Sequence, residues 1–196
     1  MKAKTGPWIK IGIPIFLMLL TSACVRYVDQ PKPEPWPSEE NAIVIHIKAS
    51  QDLNYFEGQP NSLLICVYQL AEEIPFLKKM KEPGGLDDLV RCNSFNKKVN
   101  DSIMESIQPG DHITSLTLDR MKNTRFVAIV AGYEMRETDR IVRVYPVNRI
   151  ETKHGNIFNR FIIFKPEKLE VNLILGRDQI ESPIPSLIPK NRKVIY

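Results

Sequence analysis

The residue types that usually carry catalysis or metal binding are scarce in this 196-residue chain, which has three histidines and three cysteines. No pair of them has CxxC or HxxxH spacing, so no metal-ligand motif is present. GxSxG, HExxH and the phosphate-binding glycine loop are also missing. His46 falls on a polar strand position, His112 at a strand edge and His154 in a turn, which are places for solvated histidines. The neighbouring carboxylates Asp87 and Asp88 read as helix-surface charges rather than an acid–base pair. The expectation is a protein that is not an enzyme and holds no metal or cofactor. Charge of one sign is lacking too. The net charge is +4, and Lys2, Lys4 and Lys10 supply three of those units, so the rest of the chain is nearly neutral and offers no case for nucleic acid. No apolar run reaches the roughly 20 residues that span a bilayer as a helix. The most apolar stretch, Ile11–Leu20, is ten residues and is interrupted by Gly12 and Pro14.

That short run is informative in its setting. The three lysines precede it, and Thr21-Ser22-Ala23-Cys24 follows. A positive start, a short apolar core and small residues before a cleavage point make a secretory signal. With the cysteine it reads as a lipoprotein signal, in which residues 1–23 are removed and the Cys24 thiol carries diacylglycerol; the alternatives are an ordinary signal with a chance cysteine and an uncleaved N-terminal anchor. Thr21 stands where such signals favour leucine, and Leu20 lies one place earlier. Arg26 follows Val25, so the aspartate that retains lipoproteins at the inner membrane is missing and the outer membrane is expected.

Residues 24–41 contain Pro31, Pro33, Pro35 and Pro37 and read as an extended, semi-rigid tether. The folded domain is expected over 42–181. Ile43, Ile45 and Ile47 alternate with Val44, His46 and Lys48, which is strand periodicity. Leu63–Leu70 is apolar on both faces and reads as a central strand. Residues 72–107 read as a helical insertion, with Leu86, Leu89 and Val90 at helical spacing and a second helical piece over Phe95–Ile107. Further strands are expected over 112–119, with a bulge near Ser115, and over 126–133, 140–147, 157–164 and 169–175. Seven or eight strands joined by short turns predict an antiparallel β-sandwich. Residues 182–196 read as a basic, proline-containing tail. In an oxidising compartment Cys66 and Cys92 are candidates for a disulfide, with two buried free thiols as the alternative.

Several short segments together resemble the outer-membrane lipoprotein of type VI secretion systems, the TssJ family. They are the Cys24 signal, Ile47–Asn54, Cys66-Val67-Tyr68-Gln69-Leu70, and Phe76-Leu77 with Leu86-Asp87-Asp88-Leu89. Ile107-Gln108-Pro109-Gly110, Leu118-Asp119-Arg120 and Val127–Tyr133 complete the set. The likeness covers roughly residues 20–145. It implies a transthyretin-like sandwich of two four-stranded sheets with added helices. It also implies a job: anchoring a secretion complex to the outer membrane by binding the periplasmic C-terminal region of the inner-membrane subunit TssM. The family's contact loop corresponds to Gln51–Asn61 here, which puts Gln51, Asp52, Leu53, Asn54, Tyr55, Phe56 and Glu57 forward as partner-binding residues. Exposed loop aromatics suit that role; the alternative is that Tyr55 and Phe56 fold back onto the sandwich rim. The other functional reading is a lipoprotein of similar fold that binds a small ligand or a cell-wall glycan in an aromatic-lined cleft.

Overall fold

The computed structural model describes residues 35–111, 114–134, 137–156, 159–183 and 185. The signal, Cys24 and the first part of the tether lie outside them, as do His112 and nearly all of the basic tail. In chain order the strands are β1 (Glu39–Ala49), β2 (Leu63–Leu70), β3 (Val99–Ile107), β4 (Thr114–Arg120), β5 (Phe126–Ala131), β6 (Val142–Pro146), β7 (Arg149–Asn156), β8 (Asn159–Pro166) and β9 (Leu169–Leu175). Helices α1 (Ile74–Met80) and α2 (Gly85–Val90) lie between β2 and β3, and the single turn α3 (Thr138–Ile141) leads into β6. The architecture is mostly β and transthyretin-like.

One sheet has the order β4-β1-β9 and the other β3-β2-β5-β6, while β7 and β8 form a hairpin of their own. This differs from two four-stranded sheets. The chain folds β7 and β8 on each other instead of adding either to the three-stranded sheet. Every pairing is antiparallel except β1 with β9, which run parallel with Ile45 opposite Val171. Between the sheets lie Ile43, Ile45 and Ile47 of β1, Val171, Leu173 and Leu175 of β9, and Ile65 and Val67 of β2. Alternation puts every second side chain of β1 into this core. Burying each such aliphatic side chain stabilises the domain by about 1.5–3 kcal/mol.

β2 and β5 are buried on both faces because α1 and α2 cover the outside of their sheet. Tyr68 points to that side and packs against Phe76 and Phe95, with ring centroids 5.8 Å away in each case. Its hydroxyl donates to the Leu89 carbonyl at 2.9 Å. Burial, reinforced by the nearby Asp88 charge, raises its pKa, so it remains a protonated donor. On the surface of the helical cover Lys79 pairs with Asp88 at 2.8 Å and with Glu82 at 3.2 Å. The Lys79 hydrogen bond holds the Asp88 carboxyl below its usual range, which is the work of a surface ion pair.

Cys66 and Cys92 are joined by a disulfide, with Cα atoms 5.4 Å apart and a sequence separation of 26. It pins the segment after α2 to the middle of β2. In the chain-entropy account, closing a loop of this size is worth about 3 kcal/mol. Cys66→Ala/Cys92→Ala is therefore expected to lose about that much stability in urea unfolding, and reductant should then leave the variant's midpoint unchanged. Equal stability of variant and oxidised wild type would show that the bond constrains nothing.

Phe95–Ile107 is not helical: Val99–Ile107 is β3, paired antiparallel with β2 from Ile107 opposite Leu63. Val99, Ile103 and Ile107 recur every fourth residue, a spacing that fits one face of a helix and one face of a strand equally. The unpaired edge of β2 decides between them. β4 runs without a slip at Ser115; the irregularity lies opposite its end, between Glu39 and Ile43, where Asn41 has φ 50°. The 140–147 segment starts with the α3 turn before its strand. His154 belongs to β7 rather than a turn, opposite Phe161. Ser182 is buried, and its hydroxyl accepts from the Ile174 amide at 2.6 Å, so the start of the expected tail is part of the fold.

Candidate partner-binding surface

The loop between β1 and β2 is held by its own backbone and by two neighbouring turns. The Ser50 amide donates to the Leu175 carbonyl at 2.8 Å, and the Gly110 amide donates to the Ser50 carbonyl at 2.9 Å. Gly110 has φ 78°, a left-handed conformation that favours glycine, and a Cβ there would come within 3.2 Å of Gln51 Nε2. The Gln108-Pro109-Gly110 turn thus acts as a backing plate for the start of the loop. Leu53 is fully buried and serves as the peg of the loop rather than as a contact residue. Asp52 and Ser50 are hydrogen-bonded side chain to side chain.

Beyond Leu53 the chain turns tightly. Asn54 and Glu57 have φ of 45° and 51°, and Gly58 has 82°. Phe56 and Gln59 exchange backbone hydrogen bonds at 3.0 and 3.2 Å. Asn61 braces the turn from inside, its Nδ2 reaching the carbonyls of Gln59 at 3.0 Å and Phe56 at 3.3 Å. Asn54 Nδ2 donates to the Ser62 carbonyl at 3.1 Å. The result is a stiff tip that presents Tyr55, 36% exposed, and Phe56, 47% exposed. Gln51 and Glu57 are exposed, while Asp52 and Asn54 are half-buried.

Tyr55 is held from two sides. Its hydroxyl donates to the Gly58 carbonyl at 2.8 Å. Its ring lies under the Arg177 guanidinium, which sits 3.9 Å from the ring centroid. Arg177 also faces Asp52 at 3.7 Å and accepts at its carbonyl from the Tyr55 amide at 3.0 Å. A cation over a tyrosine face is worth about 0.5–1 kcal/mol at an exposed site. Arg177 is itself positioned by Tyr133, whose hydroxyl reaches the carbonyls of Gln179 at 2.9 Å and Gly176 at 3.1 Å. Burial, with smaller contributions from Glu181 and Asp178, raises the Tyr133 pKa and keeps it a donor. Arg177 was not legible in the sequence, because only the parallel β1–β9 pairing brings it beside Tyr55.

The remaining candidates do not converge. His46 lies on the outer face of β1, with Nδ1 3.0 Å from Ser115 Oγ and Nε2 2.9 Å from Glu170 Oε1. Asp88 is paired with Lys79 on the helical cover. Among the described residues no cluster of three or more His, Cys, Asp and Glu is placed to hold a metal ion. No helix among them is long and apolar enough to cross a membrane. Two open grooves occur. One, of about 540 Å³, runs along Glu39, Asn148, Ile150 and Pro166; the other, of about 440 Å³, runs along His46, Lys48, Asn172 and Ile174. Their linings are charged and aliphatic, without the aromatic platform that glycan binding calls for.

The family described as T6SS-SciN, type VI secretion lipoprotein (VasD, EvfM, TssJ, VC_A0113), matches residues 41–176. Among solved structures, the fold is similar to that of Lip from Serratia marcescens, a membrane-bound component of the type VI secretion system. The TM-score is 0.53 at 16% identity, over 74% of this chain and 98% of that one. The lipoprotein TssJ1 of Pseudomonas aeruginosa gives a TM-score of 0.49 at 21% identity, over 76% of this chain and 98% of that one. No curated protein matches the sequence.

Proposed function

This chain belongs to the type VI secretion lipoprotein family, the TssJ family, and from that premise we propose that it tethers the secretion membrane complex to the outer membrane. Lipid on Cys24 holds the domain at the periplasmic face of that membrane. The Gln51–Asn61 loop grips the periplasmic C-terminal region of the inner-membrane subunit TssM. The family is a structural component rather than an enzyme, and the task requires no reacting atoms. Anchoring raises the local concentration of the binding surface where its partner must be captured.

The observation that carries this reading is the family match over 41–176, which spans the two sheets, the helical cover and the loop. The loop itself adds support. Exposed aromatics on a pre-stiffened turn lose little conformational freedom on binding, and such residues are typical energetic anchors of interfaces.

Replacing both anchors, Tyr55→Ala with Phe56→Ala, is expected to weaken TssM binding about 100-fold or more, at roughly 2 kcal/mol for a hot-spot side chain. Titration calorimetry with the TssM periplasmic domain reads the affinity. A melting curve on the same sample checks the fold, which should change little because the Tyr55 contacts with Gly58 and Arg177 that are lost lie at the surface of the loop and Phe56 is exposed. Wild-type affinity in the double variant would move the contact elsewhere on the domain.

A further inference from the structure

We propose that Arg177, on the turn after β9, is a further partner-binding residue, and that it receives a carboxylate side chain of the partner beside the Tyr55–Phe56 tip. This rests on the reading of the Gln51–Asn61 loop as the partner contact. It adds a charged specificity element that comes from a different part of the chain.

The guanidinium is held in place without its donors being used. Arg177 is exposed, and among the described residues its side chain donates no hydrogen bond. The nearest acid, Asp52, stands 3.7 Å away, too far for one. One Asp52 oxygen already accepts from the Ser50 hydroxyl. The Tyr55 ring, 3.9 Å from the guanidinium carbon, attracts the charge and consumes no donor. A guanidinium presents its N–H groups as a planar fork that matches a carboxylate with two parallel bonds. That fork is left available beside Tyr55.

The turn that carries it is firmly fixed. The Gly176 amide donates to the Gln179 carbonyl at 2.9 Å, and the Tyr55 amide donates to the Arg177 carbonyl at 3.0 Å. Further along, the Ile180 amide donates to the Arg140 carbonyl at 2.8 Å and the Glu181 amide to the Ile174 carbonyl at 2.9 Å. Arg143 of β6, 5% exposed, donates through Nε to the Ser182 carbonyl at 3.0 Å and through Nη2 to the Ile180 carbonyl. These bonds clip the segment returning along β9 to β6 and so to both sheets. The two arginines thus differ in use: Arg143 spends its donors on carbonyls of the fold, and Arg177 spends none.

A long side chain that is already supported loses less freedom on binding. Arginine and exposed aromatics are the residue types that anchor interfaces. The surroundings favour a single carboxylate over a polyanion. Asp52 and Glu57 lie on the loop, and Asp178 is taken up by Arg140 at 3.3 Å, so the surface lacks the surplus of positive charge that a phosphate-rich surface calls for.

Titration calorimetry of the full-length protein with the TssM periplasmic domain, at low and at high salt, tests the pairing. Arg177→Gln is expected to weaken binding about tenfold at low salt and to flatten the loss of affinity that salt causes in the wild type. Arg177→Glu is expected to weaken it about 100-fold. Reversing one aspartate or glutamate of the TssM domain to arginine should restore much of that loss. A melting curve on each variant checks the fold. Wild-type affinity in Arg177→Glu overturns the proposal. So does a weakened Arg177→Gln that keeps the wild-type salt dependence, since the arginine then only braces Tyr55. Failure of every acid reversal to restore Arg177→Glu overturns it as well. Tyr55→Ala with Phe56→Ala separates this proposal from the loop reading. If that double variant loses binding while the Arg177 variants keep it, only the role of Arg177 falls; if all of them bind as wild type does, the loop reading itself fails.

Discussion

Cys24→Ser is expected to remove the protein from the membrane fraction and to abolish type VI secretion in a strain that carries it as the only copy. Serine has the same shape but no thiol, so the thioether to diacylglycerol cannot form. The effect is close to all-or-none because of how acyl chains add. Each buried methylene contributes about 0.8 kcal/mol, so one chain binds marginally and two or three hold effectively without release. Losing the lipid thus changes attachment from near-complete to near-absent, with no intermediate. Fractionation and labelled-palmitate incorporation read the attachment, and killing of a competitor strain reads secretion. A melting curve on the purified variant checks that the folded domain is intact. A Cys24→Ser strain that secretes normally would sink both the anchor and the tethering role.

Gln69→Leu is expected to be strongly destabilising. Gln69 lies in β2 with 1% of its surface exposed. Its Nε2 donates to the Asp119 carbonyl at 2.8 Å. Its Oε1 accepts from the Met121 amide at 2.8 Å and from Thr124 Oγ1 at 3.1 Å. One buried amide therefore satisfies the Asp119 carbonyl near the end of β4 and two groups of the connection to β5, and links the two sheets at that end. Leucine keeps the volume but strands all three partners, and each buried unsatisfied group costs about 1–3 kcal/mol. A loss of roughly 3–5 kcal/mol is expected, or about 10 °C in melting temperature for a domain of this size. Thr124→Val removes only one of the three bonds, along with the bond from Asn100 Nδ2 at 3.1 Å, and should cost clearly less. Equal melting temperatures for wild type and Gln69→Leu would mean that the turn finds water or other partners.

The Gln69 network also shows how much of the site and fold was legible. The Cys66–Leu70 and Leu118–Arg120 segments resembled family motifs, yet nothing local said that Gln69 would bond the turn after Arg120. Gln69 and Asp119 are 50 residues apart and meet only because β2 and β4 lie in facing sheets. The loop after β1 was visible from its breakers and its two aromatics. That Leu53 would be its buried peg, and Arg177 the clamp on Tyr55, depended on a parallel pairing that no local pattern encodes. The assignment of Phe95–Ile107 to a helix failed for a related reason: a four-residue recurrence is shared by both periodicities, and the open edge of β2 decided between them.

By itself the sequence determined what is local. The alternation of Ile43, Ile45 and Ile47, the doubly apolar Leu63–Leu70, the breakers between strands and the charged, apolar and small-residue order before Cys24 are each written within about ten residues. These settled a β-rich domain and made a lipid anchor the expectation. Tertiary structure decided which strands neighbour one another, that β7 and β8 stand apart as a hairpin, and that Arg120 joins Glu39 of β1 to the Glu167 carbonyl after β8. The reason is physical. A strand's own sequence specifies which face is apolar but not which edge it will pair with. Edge partners are chosen by competition among all open edges once the core has formed.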